Sequence, residues 1–218
     1  GIITIPIGAF VGGLVAGFEV MMVLRNLVPI IIFAVVIALG LLKFENAMIK
    51  GFTYFGKGVV IVITLGLAAA IVEALTGIVV IPGMKPISEG IEIVGDIAIV
   101  LAGAFPLVFV ITKVFNKPLM ALGKVLGMND VSAAGLVASL ANCIPMFGMM
   151  KDMDNRGKII NVAFSVSAAF VFGDHLGFTA GFNSNMITPM IVAKLVGGIT
   201  AVLLAMVIAN KTLKKENV

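Results

Sequence analysis

The residues best suited to chemistry are Asp174 and His175, set in Gly173-Asp174-His175-Leu176-Gly177 inside a long apolar run. His175 is the single histidine of the chain. A carboxylate, an imidazole and the backbone carbonyls that flanking glycines can free from a helix form a set of acceptors. Such a set suits an ammonium group carrying a nearby hydroxyl: the ammonium donates, and the imidazole donates or accepts. Ionisable groups at membrane depth are costly, so each is expected to be paired or functional. Lys194, about two turns into the next apolar run, offers the structural alternative, an ion pair with Asp174. Asn142, in Asn142-Cys143-Ile144-Pro145, is a further polar side chain in apolar surroundings, open to a site role or a packing role. Glu92 and Asp96 stand four apart on one helix face. With Glu73 and Glu89 they would line an acidic outer vestibule that concentrates small cations, although ordinary interfacial charges give the same pattern.

The elements that must position these residues are membrane helices. Hydrophobic residues make up 61% of the 218-residue chain and charged residues 12%, with a mean hydropathy of +1.20. A soluble domain carries about a quarter charged residues, so this composition reads as an integral membrane protein. The 15 basic and 11 acidic residues leave a net charge of +4. The basic residues sit in short loops between apolar runs, a membrane-orientation pattern rather than a nucleic-acid surface. Cys143 is the lone cysteine, which excludes an internal disulfide, and one histidine without a cysteine cluster makes neither a metal site nor a cofactor expected. No His-Glu-x-x-His helix, Gly-x-Ser-x-Gly elbow or phosphate-cradling loop is present, so no catalytic residue is assigned. Metal-dependent phosphotransferases acting on amino alcohols need several deep aspartates, and only Asp174 is expected at depth. The chain starts at Gly1 within an apolar stretch and shows no signal peptide. It is therefore expected to begin inside a helix, as one integral-membrane fragment (1–218) of a longer protein.

The fold class expected is all-α, a polytopic transmembrane helical bundle of six or seven segments. The candidate runs are 1–18, 26–42, 58–80, 91–111, 131–150, 159–182 and 186–209, against about 17–25 residues needed to cross. The connections 43–57 and 113–130 are amphipathic and could lie flat at the interface. Gly8…Gly12, Gly13…Gly17 and Gly177…Gly181 have the spacing of close helix packing. If all seven runs cross, the loop lysines and arginines divide 6 against 8. If 131–150 enters and returns on one side, they divide 12 against 2, with only Arg25 and Lys85 outside. The basic-residue bias favours this re-entrant topology with a cytoplasmic carboxy-terminal tail, and a full span kinked at Pro145 is the alternative. Asp174 lies 16 residues beyond Lys158, which places it about 24 Å away if the helix is continuous.

Recognition follows from the run Asn142-Cys143-Ile144-Pro145-Met146-Phe147-Gly148-Met149-Met150-Lys151, then Met153-Asp154, Arg156-Gly157-Lys158, Val166-Ser167-Ala168-Ala169-Phe170 and Gly173-Asp174-His175-Leu176-Gly177-Phe178. Together with Thr4-Ile5-Pro6-Ile7-Gly8, Leu65-Gly66-Leu67-Ala68-Ala69-Ala70, Lys117-Pro118-Leu119-Met120 and Lys194-Leu195, these resemble the ethanolamine permease family, EutH. The resemblance implies the carboxy-terminal half of a protein about twice this length. It also implies a bacterial cytoplasmic (inner) membrane location and uptake of ethanolamine for breakdown by a lyase in a microcompartment. Glu92 matches the family pattern, whereas Asp96 and Glu73 depart from it. Asp174, His175, Asn142 and Glu92 are thus the expected substrate-binding residues, chosen on chemistry alone. The expected partners are ethanolamine, membrane lipid and the missing amino-terminal half, with a homo-oligomer compatible. Uptake of another small amine or amino alcohol, and a non-transporting membrane scaffold subunit, are the competing functions.

Overall fold

The computed structural model describes the backbone of residues 1–114 and 116–216, and all side chains there except those at 104, 105, 107, 108, 111, 112, 116, 119 and 211–216. The basic tail expected at Lys211, Lys214 and Lys215 lies outside the described side chains. Helices follow one another in the order α1 (Ile5–Val15), α2 (Val20–Lys43), α3 (Glu45–Thr76), α4 (Ile87–Val114), α5 (Asn116–Leu126), α6 (Asp130–Ala141), α7 (Cys143–Met149), α8 (Asn155–Ala168), α9 (Asp174–Phe182) and α10 (Ile187–Glu216). No strand occurs among the described residues. Three stretches there are long and apolar enough to cross a membrane: Val20–Lys43, Glu45–Thr76 and Ser184–Asn210. The fold is the all-α membrane bundle expected from the sequence.

The chain forms two compact units, one of Gly1–Ala34 with Asp96–Val218 and one of Val35–Gly95. In the first, small residues let helices approach until backbones touch. A Cβ on Gly8 of α1 would lie 2.1 Å from the Ala193 carbonyl of α10, and one on Gly12 would lie 2.6 Å from the Ala193 side chain. Along α10, Gly197, Ala201, Ala205 and Ala209 form a buried row repeating every four residues, and Gly198 meets Phe164 and Ala168 of α8. Leu126, Met128, Ala133, Leu136, Ile160 and Phe164 complete this core with Ala168 and Ala205. Methyl-sized contacts suit a bundle in lipid, where close van der Waals packing substitutes for a hydrophobic driving force. In the second unit, Gly40 of α2 meets Met48 of α3, and Gly77 ends α3 at φ +74.

Several boundaries differ from the sequence reading. The connection 43–57 is not a separate interfacial helix, because α3 runs unbroken from Glu45 to Thr76. Gly17 is not a packing glycine. Its φ of +82 terminates α1, with the Phe18 N–H donating to the Gly13 carbonyl. The run 159–182 is not one helix. It stops at Ala168 and restarts at Asp174, so the 24 Å separation inferred from a continuous helix does not hold. The run 131–150 also breaks, at Asn142 rather than Pro145. Pro145 falls in the first turn of α7, where its absent N–H forfeits no helical bond.

Candidate functional site

Two broken helices meet back to back in the first unit. At the first break, Asn142 is extended (φ −156, ψ 132), and its Oδ1 accepts from the Ile144 N–H at 2.8 Å, capping α7. Asparagine is among the residues best suited to such a cap. At the second break, between α8 and α9, the Phe170 N–H donates to the Ser139 carbonyl at 2.9 Å and the Phe172 N–H to the Leu140 carbonyl at 2.8 Å. Those carbonyls belong to the last turn of α6, whose acceptors have no helical partner. Each break therefore satisfies the other's backbone. The contact is tight: a Cβ on Gly173 would lie 2.0 Å from the Ala141 carbonyl oxygen, so only glycine fits there. Phe170 adopts φ +63, unfavourable for a bulky residue, to make this fit.

Asp174 follows as the first residue of α9 and is exposed. His175, also exposed, stacks obliquely on Phe170, with ring centroids 5.5 Å apart. Its charged neighbours are Asp174 and Lys194. The structure thus brings Asp174, His175 and Asn142 to one pair of adjoining breaks, although no hydrogen bond joins them. Asn142 uses its oxygen for the cap, and its amide nitrogen donates to no acceptor among the described residues. Chemically, the crossing presents a carboxylate, an imidazole and an amide donor beside two helix ends whose carbonyls at Ser139 and Leu140 are already hydrogen-bonded. The ion pair weighed between Asp174 and Lys194 is not formed among the described residues, where Lys85–Glu89 at 2.9 Å is the pair present. Glu92 belongs to the other compact unit, where it is exposed. No cluster of three or more metal-ligating side chains occurs among the described residues.

Further residues flank this site. Gly177 and Gly181 of α9 pack against Ile97 and Asp96 of α4, a Cβ on Gly181 falling 3.2 Å from that of Asp96. Asp96, set aside because it departs from the family pattern, therefore flanks α9 two turns from Asp174. The charged hairpin 151–158 is latched to the start of α6. Asp154 Oδ1 accepts from the Asn129 N–H at 3.2 Å and lies 2.9 Å from the Ser132 hydroxyl, and Asn129 Nδ2 donates to the Asp152 carbonyl at 2.9 Å. Buried Asn161 donates to the Ser132 and Gly157 carbonyls, both at 2.9 Å. The two ends of 131–150 are thereby tied within hydrogen-bonding distance of each other. The only advance signal was an Asn-x-x-Ser spacing at Asn129, which the polar hairpin obscured.

The family model described as "Ethanolamine utilisation protein, EutH" matches residues 1–208. The chain belongs to the EutH family. Within it, the chain is 69% identical over 216 residues to a protein of Listeria monocytogenes named "Probable ethanolamine permease EutH", covering 99% of this chain and 58% of that protein. It is 51% identical to the Escherichia coli protein of the same name, covering 97% of this chain and 57% of the relative. "Uncharacterized protein YxeR" of Bacillus subtilis is 53% identical, covering 92% and 54%. The chain therefore spans just over half the length of these relatives. No solved structure matches. Family and apolar helices together make this a membrane protein whose named relatives are permeases.

Proposed function

We propose that the full-length protein takes up ethanolamine across the bacterial cytoplasmic membrane, with 1–218 as one integral-membrane part of the transporter. The amine is lysine-like and mostly cationic at neutral pH, so the species carried is ethanolammonium. The observation that carries this reading is the crossing of two helix breaks beside Asp174. Discontinuous helices that free carbonyls and helix ends near the bilayer midplane are how transporters hold small polar substrates, and irregular backbone there is tolerated only where it faces protein or water. The ammonium donates to the Asp174 carboxylate and to carbonyls of the breaks. The hydroxyl accepts from the Asn142 amide or exchanges a hydrogen bond with His175. Glu92 gathers cations at the outer face. No covalent step is involved, so the protein acts as a carrier and not as an enzyme.

The latch supports a re-entrant topology for 131–150. The residues before and after 131–150 are hydrogen-bonded to each other, and α6, with 12 residues, extends about 18 Å, well short of a hydrocarbon core of about 30 Å. The segment is read as re-entrant, with the basic loops and the carboxy-terminal tail cytoplasmic. Uptake of radiolabelled ethanolamine into liposomes holding the full-length protein tests the function. Saturable uptake above empty liposomes, competed better by ethanolamine than by other small amines, is expected. Better competition by a different amine would reassign the substrate, and absence of uptake would leave the scaffold reading.

A further inference from the structure

α5 has three distinct sides. At about 100° per residue, Met120, Gly123 and Leu126 share one face, and it points inward. Gly123 and Leu126 are buried, Met120 packs on the core, and a Cβ on Gly123 would lie 2.6 Å from the Ala133 side chain. Pro118, Leu122 and Val125 form a second face within about 60° of arc. It is exposed and apolar, with Val125 79% accessible. Lys117 and Lys124 form the third, about 120° from the centre of the apolar face. Both are exposed, and neither has an ion-pair partner among the described residues.

The fold fixes these faces in direction. Gly127, at φ +68, ends the helix, and the Met128 N–H closes back on the Gly123 carbonyl at 3.0 Å. Arg156 Nε–H donates to the Leu126 carbonyl at 2.5 Å, tying the helix end to α8. Just beyond, the latch at Asn129 holds the hairpin that carries exposed Lys151. A rigidly held helix with one apolar outward face, flanked by unpaired lysines, has the arrangement of a segment lying in a membrane interface. Its charge complements anionic phosphates, and long lysine side chains reach from the acyl boundary to that level.

We propose that α5 lies along the bilayer surface as an anionic-lipid contact, with Leu122 and Val125 in the acyl region and Lys117 and Lys124 on lipid phosphates. The inference needs only that the protein is embedded in a membrane and is independent of what it transports. The full-length protein in detergent is offered equimolar dioleoyl phosphatidylglycerol and dioleoyl phosphatidylcholine, and retained lipid is counted by native mass spectrometry. Replacing Lys117→Gln and Lys124→Gln together should cut the preference for phosphatidylglycerol by about fivefold per lysine. In parallel, a fluorescent amino acid placed at Val125, with both lysines intact, should be quenched in vesicles by lipids brominated high on the acyl chain. An unchanged preference in the double variant overturns the proposal. So does a fluorophore that brominated lipid fails to quench, which would show that the rest of the protein or a second copy covers this face.

Discussion

Gly173→Ala probes the crossing at its tightest point. The added Cβ would sit 2.0 Å from the Ala141 carbonyl oxygen and 3.0 Å from its carbon, both backbone atoms that no rotamer change can move. Relief requires the two breaks to separate by about 1 Å, which stretches the 2.9 and 2.8 Å bonds from Phe170 and Phe172 to or beyond the useful limit. Each lost bond costs about 1 kcal/mol net, and stranding carbonyls beside buried Ser139 and Val171 adds about 1–3 kcal/mol. A penalty of about 3–5 kcal/mol lowers the thermal midpoint by at least about 6 °C for a unit of this size. The assay is thermal unfolding of the full-length protein followed by gel filtration, with ethanolamine uptake measured on the surviving fraction. Gly148→Ala serves as the control, since nothing lies within 4 Å of its Cβ position, and it should be neutral. A Gly173→Ala protein with wild-type midpoint and uptake would refute the reasoning.

Three further outcomes are expected. Cysteines at exposed Asp130 and Lys151 should both be labelled by an impermeant maleimide from the same side of the membrane, and labelling from opposite sides would mean that 131–150 crosses. Asp154→Ala removes the carboxylate that holds Asn129 and Ser132; the thermal midpoint should fall by several degrees, while Asp154→Asn, which keeps an acceptor oxygen, should recover part of the loss. The apparent affinity for ethanolammonium should weaken as external pH falls through the imidazole titration, because an imidazolium at His175 competes for Asp174. His175→Gln should flatten that dependence while keeping part of the uptake, and identical pH profiles would reduce His175 to a packing role against Phe170.

The sequence disclosed the helices because runs such as 186–209 are long, apolar and nearly free of charge. It disclosed the close contacts at Gly8, Gly12, Gly177 and Gly181 because small residues four apart leave room for little else. Asn142 could be singled out because an amide in apolar surroundings must hydrogen-bond. The second break could not be located to the residue. Ala168-Ala169-Phe170-Val171-Phe172 contains no glycine or proline, and what unwinds it is the row of unpaired carbonyls at the end of α6. That force comes from a segment 30 residues earlier in the chain and leaves no local mark. The same holds for 43–57, where the lysines looked interfacial but the backbone simply continues one helix. Charge in a short loop is usually solvated, and nothing local in the sequence marks Asp154 and Arg156 as partnered. Their partners, Asn129, Ser132, Leu126 and Asn210, become visible only in three dimensions.

Asp174→Asn in the full-length protein, reconstituted in liposomes, tests the central claim most directly. The substitution keeps size and hydrogen-bonding capacity and removes only the charge that is read as holding the ammonium. Because Asp174 is exposed and makes no ion pair with Lys194, the folded yield and thermal midpoint should stay near wild type. The apparent KM for ethanolamine should rise at least tenfold, since a hydrogen bond to a charged partner is worth about 1.5–3 kcal/mol. Wild-type KM in Asp174→Asn would contradict the account. So would loss of folded protein that a second change, Lys194→Met, restores, because Asp174 would then be a structural counter-ion and the crossing no cation site.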